Sequence, residues 1–307
     1  MIERLKSDLS KNFANERGIY TPSDHKIIDN DSNRRIDSKS LAGLNISDYD
    51  EYIKSGNQNN RHAIFNPNRC VGLKLLEIKS GDIGIIYGCS VGNLLMYAAK
   101  NCEWMVAVEE NIQNLRFIQR RLENASNTLL VNSKIQNDLF LRNHFDFAII
   151  NGTFFQVSSK PLKFGQSKFL KRVRSGLKKE GKLFFAVKNR LSPQYYLTSQ
   201  LPFHADQHLY SYSEYLNLLN KAGFSKIQTY FVFPDYNFPL KILPLRKGSK
   251  SSYAPVSHRQ IQKNFFKKVL RKINTKLDFL IFKKLKIFKF SPSFIFIATS
   301  EMKTINR

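Results

Sequence analysis

Apolar residues along this chain gather into short runs of strand length, separated by polar and glycine-bearing stretches. GDIGIIY (81–87) and WMVAVE (104–109) read as two strands flanking a helix. NTLLVNSKI (127–135), HFDFAIIN (144–151), GKLFFAVKN (181–189) and KIQTYFVF (226–233) are further strand-like runs. Helical segments fall between most of them, the pattern of a doubly wound parallel sheet. Before the first run, residues 1–60 are polar and rich in Asn, Asp and Ser, with a helix predicted at 2–14 and loop thereafter.

The candidate chemistry begins at the first strand–helix junction, IIYGCSVGN. Gly88 and Gly92 bracket a tight turn, where a side chain would keep a ligand from the backbone, and the following strand ends on Glu109. An acidic residue about twenty positions beyond such a loop can accept hydrogen bonds from both hydroxyls of a ribose, so the spacing fits an adenosine-bearing cofactor. The plainer reading is a strand, turn and helix of the kind found in many α/β proteins that bind nothing there.

In the order of these features the chain resembles the class I S-adenosylmethionine-dependent methyltransferases, over residues 61–243 and a last strand near 293–299. IIYGCSVGN stands where that family has its glycine-rich cofactor loop, VAVEEN where it has the ribose-holding acid, FDFAIINGTF at its fourth strand, and LKKEGKLFFAVKNR at the turn and strand that follow. Two positions depart from the family's first motif: Ile86 replaces an acidic residue and Ser90 the middle glycine. The resemblance implies a Rossmann-like, doubly wound, seven-stranded and mostly parallel sheet with an antiparallel last strand. It implies S-adenosylmethionine as cofactor, with Tyr87, Gly88, Cys89, Ser90, Gly92 and Glu109 around it, Asn151 nearest the reacting methyl group, and Asp138 accepting from an adenine amino group or else lying in a solvated loop. Residues 62–78 are expected as a preceding helix and lid.

A second stretch, 189–245, is similar to the tail of methyltransferases associated with bacterial surface-polysaccharide and lipopolysaccharide synthesis, through Asn189–Arg190 and through Pro234, Asp235, Tyr236 and Pro239. It implies a glycan or glycolipid acceptor. A sugar hydroxyl is a poor nucleophile at neutral pH and benefits from a general base. His204, Asp206 and His208 form the densest cluster of candidates, although ordinary loop polarity also accounts for them. Their H-x-D-x-H spacing is on no evident helix, so no metal is expected. Asp235 and Tyr236 are read as fixing the turn after the sixth strand, with the two prolines restricting it.

At 307 residues and 42% hydrophobic content the chain can bury a full core, and one main domain with appendages is the natural reading. The expected division is a polar segment at 1–60, a core at 61–245, a basic helical insertion at 246–290 and a last core strand at 291–300. No run reaches the roughly 18 apolar residues of a membrane span, and MIERLKSDLSK lacks the apolar centre of a signal peptide, so a cytoplasmic location is expected. Cys70, Cys89 and Cys102 suit a reducing compartment. Cys89 reads as a small residue filling a turn rather than a nucleophile.

The formal charge of +25 is unevenly spread. Residues 1–60 hold nine Lys/Arg against ten Asp/Glu, whereas Arg246 to Phe290 holds fourteen against the single Asp278. Within that insertion Ile261, Phe265, Val269, Ile273, Leu277 and Ile281 recur every four residues, beside Lys263, Lys267, Lys268, Arg271, Lys272 and Lys276. This is the pattern of an amphipathic basic helix. Three readings compete: an interfacial helix over 258–290 on an anionic membrane surface, a helix docked on the core with a solvated basic face, and a nucleic-acid arm, which has less need of an apolar stripe. The function classes left open are a methyltransferase acting on a surface glycan or glycolipid at the inner membrane face, a non-catalytic binding module of the same fold, and an RNA methyltransferase. Against one large group of the last, no N-P-P-Y motif stands at Asn151–Phe154.

Overall fold

The computed structural model describes residues 2–16, 18–23, 67–122, 126–135, 137, 139, 141–154, 162–192, 209–245, 252–253 and 287–301. In chain order these form α1 (Ile2–Ser10), β1 (Phe13–Glu16), β2 (Ile19–Pro22), a 3-10 helix (Pro67–Leu76), β3 (Ile83–Tyr87), α2 (Asn93–Ala99), β4 (Trp104–Glu109), α3 (Ile112–Arg121), β5 (Thr128–Asn132) and β6 (Phe145–Asn151). There follow α4 (Leu162–Gly176), β7 (Leu177–Lys188), α5 (Tyr212–Ala222), β8 (Phe224–Asp235), β9 (Phe238–Pro244), β10 (Ser252–Tyr253), a 3-10 turn (Ile287–Phe290) and β11 (Ser293–Ser300).

All strands join one sheet in the order β1-β2-β5-β4-β3-β6-β7-β11-β8-β9-β10. From β2 through β7 neighbouring strands are parallel. The last strand, β11, runs antiparallel between β7 and β8, as the sequence predicts. The sheet has eleven strands rather than the seven expected, because hairpins widen both sides. The hairpin β1–β2 attaches to β5 through Ile19↔Leu130 and Tyr20↔Val131, and β9–β10 extends β8. Phe13–Glu16 and Ile19–Pro22, within the polar segment expected over 1–60, therefore belong to the sheet, and the helix expected over 2–14 ends at Ser10. Where a helix is expected over 62–78, Pro67–Leu76 form a 3-10 helix and Glu77 and Ile78 lie outside it; 62–66 are outside the described residues.

Strand residues alternate between two faces, and both are covered, which explains why the central strands are apolar throughout. Ile83, Ile85, Val106, Val108, Val131 and Ile150 meet Leu5 and Leu9 of α1, Phe169 and Leu170 of α4, and Tyr215 and Leu219 of α5. Ile86, Met105, Ala107, Leu130 and Ile149 meet Leu73 and Leu76 of the 3-10 helix, Leu95 and Ala98 of α2, and Leu115 and Ile118 of α3. Helix starts are chemically marked. The Asn111 side chain accepts from the N–H groups of Gln113 and Asn114 at the head of α3, and Ser211 with Glu214 forms a capping box on α5. No helix among the described residues is long and apolar enough to cross a membrane.

Candidate active site

Successive strands β3 and β4 lie side by side, whereas β6 lies on the other side of β3, so the chain reverses direction across the sheet there. In open α/β sheets ligands bind at such a reversal, outside the carboxyl ends of the strands. Three polar side chains stand at the carboxyl ends of β5, β4 and, across β3, β6. Glu109 closes β4, Asn132 is its register partner at the end of β5, and Asn151 closes β6. All three are buried.

Glu109 is tied to the glycine loop. One carboxylate oxygen accepts the Ser90 N–H at 2.9 Å and the other the Asn111 N–H at 3.1 Å. Asn132 Nδ2 donates to the carbonyls of Glu109 (3.2 Å) and Glu110 (3.0 Å), fixing the amide. Its Oδ1, and Nδ2 of Asn151, have no hydrogen-bond partner among the described residues. A buried polar atom without a partner is costly. The edge thus carries one acceptor and one donor suited to a polar ligand, beside a carboxylate.

At both glycines a neighbouring side chain stands where a Cβ would lie. A Cβ on Gly88 would lie 2.3 Å from Cγ2 of Thr153, and one on Gly92 would lie 2.9 Å from Cγ1 of Ile118. Thr153 is a residue that sequence reasoning missed. It lies over the loop, and its hydroxyl donates to the Tyr87 carbonyl at 2.9 Å. Ser90 adopts φ 50°, the left-handed region that a glycine occupies freely, and the Glu109 bond to its N–H holds it there. Arg121 of α3 braces the same loop through the Val91 carbonyl and Asn93 Oδ1. The Tyr87 side chain is core, edge-on to Phe169 at 5.4 Å. Cys89 is buried, and burial followed by the Glu109 charge pushes its thiol well above the ordinary range, so it is no nucleophile.

Beyond Asn151 the chain enters an aromatic cluster. Phe154 packs against Phe185 at 4.9 Å and near Tyr210 and Tyr215. Tyr210 donates to Gln166, and burial pushes its phenol up to about 12. From the opposite side Tyr236 fills the space over Gly152, where a Cβ would stand 2.0 Å from the phenol oxygen. Burial raises the Tyr236 phenol and lowers the nearby Arg69 guanidinium, whose Nη2 donates to Asn237 at 2.8 Å. The turn after β8 is fixed as expected, with Asp235 Oδ1 accepting the Asn237 N–H at 2.8 Å.

Asn189 and Arg190 do structural work. Asn189 Nδ2 donates to the carbonyls of Lys289 and Ser291, both at 2.7 Å, and Arg190 pairs with Glu214 at 3.0 Å. His204, Asp206, His208 and Asp138 lie outside the described residues, as does most of the insertion at 246–290.

No protein-family model matches the chain, and no curated protein matches it. Solved structures do. A chain from the complex of the Trm112 methyltransferase activator with a methyltransferase of Haloferax volcanii is 11% identical, with a TM-score of 0.51, over 83% of this chain and 98% of that one. Phosphoethanolamine N-methyltransferase 2 of Haemonchus contortus, in complex with phosphomonomethylethanolamine and S-adenosylhomocysteine, is 16% identical, with a TM-score of 0.50, over 78% of this chain and 53% of that one. A Bordetella parapertussis protein described as exported is 11% identical, with a TM-score of 0.51, over 88% and 81%. At these identities the likeness is one of fold: an α/β, Rossmann-like architecture shared with S-adenosylmethionine-dependent methyltransferases.

Proposed function

We propose that this protein is an S-adenosylmethionine-dependent methyltransferase that O-methylates a sugar of a surface glycan or glycolipid at the cytoplasmic face of the membrane. The observation that carries the first half is the buried Glu109 carboxylate, fastened to the loop after β3 and flanked by the unpartnered Oδ1 of Asn132 and Nδ2 of Asn151. These groups fit the cofactor: Glu109 accepts from the ribose hydroxyls, Asn132 Oδ1 accepts from an amino group, and Asn151 Nδ2 donates to an oxygen at the transfer site. Bound there, S-adenosylmethionine supplies a methyl group already activated on a sulfonium. The chain's task is alignment and exclusion of water, which the aromatic wall around Phe154 and Tyr210 supports.

The acceptor half rests on the similarity of residues 189–245 to polysaccharide-associated methyltransferases. His204, Asp206 and His208 are its proposed general-base candidates, and the basic segment 258–290 its proposed contact with an anionic membrane surface. The test is calorimetric titration of the full chain with S-adenosylmethionine, followed by transfer of labelled methyl groups to glycolipid and RNA fractions. Saturable cofactor binding and label in the glycolipid fraction are expected. No binding at millimolar cofactor would leave a non-catalytic module, and label confined to RNA would replace the acceptor.

A further inference from the structure

In an α/β site for a dinucleotide the glycine turn takes the diphosphate on its backbone N–H groups, while the acidic residue on the next strand takes a ribose beyond it. In this chain the two places coincide. Glu109, the acidic residue, has both carboxylate oxygens on backbone N–H groups, and one of these belongs to Ser90 at the centre of the turn, 2.9 Å away.

Backbone geometry explains the attraction. Positive φ falls on Gly88 (72°), Ser90 (50°) and Gly92 (87°), with Cys89 and Val91 between them outside that region. Such alternation swings successive N–H groups toward one side and makes a concavity for an anion. The anion in this one is the protein's own carboxylate. Neighbouring donors of the turn are committed as well: the Gly88 N–H donates to the Val108 carbonyl at 2.7 Å and the Gly92 N–H to the Cys89 carbonyl at 2.9 Å. Thr153 closes the approach over Gly88, with its methyl group where a Cβ would lie and its hydroxyl on the Tyr87 carbonyl. The Arg121 guanidinium donates to the Val91 carbonyl and Asn93 Oδ1.

We infer that this turn is an anion nest filled from within, and that Glu109 and Thr153 together make the site selective for a nucleoside without phosphates and closed to ADP and dinucleotides. A phosphate would meet committed donors, a methyl group and a carboxylate of its own sign. A ribose hydroxyl has a proton to donate and no charge, so it joins the carboxylate where a phosphate cannot. The nucleoside half rests on the S-adenosylmethionine reading above, whereas the refusal of phosphate does not.

Calorimetry on the full chain, titrated at one ionic strength with adenosine, S-adenosylmethionine, ADP and NAD, reads both halves. Adenosine and S-adenosylmethionine are expected to bind at least about tenfold more tightly than ADP or NAD. Emptying the nest supplies the converse. Glu109→Ala should melt at least about 2 °C higher in millimolar inorganic phosphate than in chloride of equal ionic strength, with no such difference in the unaltered protein. ADP or NAD binding as tightly as adenosine, no binding of adenosine, or a phosphate shift that is absent from Glu109→Ala or equal in both proteins would overturn the inference. Adenosine bound without S-adenosylmethionine would remove the methyl-transfer reading and leave the nest, and S-adenosylmethionine and ADP bound alike would do the reverse. The calorimetric arm needs no substitution, so it decides the matter even if Glu109→Ala fails to fold.

Discussion

Replacing Glu109 by Gln changes one oxygen to an NH₂ group at constant size and so separates the loop-fastening role of this residue from its proposed ligand role. The carboxylate accepts from Ser90 N–H and Asn111 N–H. A hydrogen bond to a charged group contributes about 1.5–3 kcal/mol and a neutral one about 1 kcal/mol. Glu109→Gln leaves one neutral acceptor and turns a donor toward the other N–H, a loss of roughly 2–3 kcal/mol. For a chain of this length that corresponds to a fall in Tm of roughly 3–5 °C, measured by circular dichroism beside guanidinium unfolding. Glu109→Ala, which removes both acceptors, should in addition weaken S-adenosylmethionine binding by about 1.5–3 kcal/mol, or roughly 10- to 150-fold in Kd by calorimetry. A destabilised Glu109→Ala with unchanged Kd would confine the residue to the loop and remove it from the cofactor site. An unchanged Tm in Glu109→Gln would refute the reasoning about the loop itself.

Other expectations follow from neighbouring groups. Ser90→Gly relieves the left-handed backbone and should stabilise by about 0.5–1 kcal/mol in guanidinium titration; a loss would mean that the hydroxyl makes a contact of its own. Gly152→Ala forces a Cβ against the buried Tyr236 phenol at φ 73° and should cost more than about 2 kcal/mol by the same measurement. His144 Nε2 lies 3.0 Å from Asp8 of α1, which Lys11 also pairs, with Arg4 and Lys178 close to the ring, and burial holds its imidazole below the ordinary 6.5. The unfolded chain therefore takes the proton first, and the stability from the neutral ring is complete above 6.5 and lost as pH falls through the folded value. Between about pH 7.5 and pH 5 the protection of α1 amides relative to the intrinsic exchange rate at each pH should fall, and His144→Gln should flatten that slope. A slope unchanged in the variant would assign it to other groups.

The central strands were legible because each carries an uninterrupted apolar run between turn signals, and the antiparallel last strand came with the family resemblance. The flanking hairpins were not. FANE and IYTP are too short and polar to show a period, and FPLKILP carries two prolines that read as loop; pairing with a preformed edge makes them strands. Glu109 announced itself by its distance from the glycine loop. Thr153, Asn132 and Arg69 did not, since their importance comes from strand register and the packing of the 3-10 helix, which sequence spacing does not carry. Gly88 was read as room for a ligand, and in the fold that room holds the Thr153 methyl group.

Among the described residues a hairpin lies along each side of the sheet's core, so β1 and β10 stand outermost in place of β5 and β8. The outermost strands are the poorest templates available: β10 pairs over only two residues, and β1 is four residues long and ends on a glutamate. Both outer hairpins thus act as guards against strand-to-strand self-association. Removing the first 23 residues would leave Glu109, Asn132 and Asn151 on their strands while baring Leu130 and Val131 of β5, so the first symptom of such a truncation would be polymerisation.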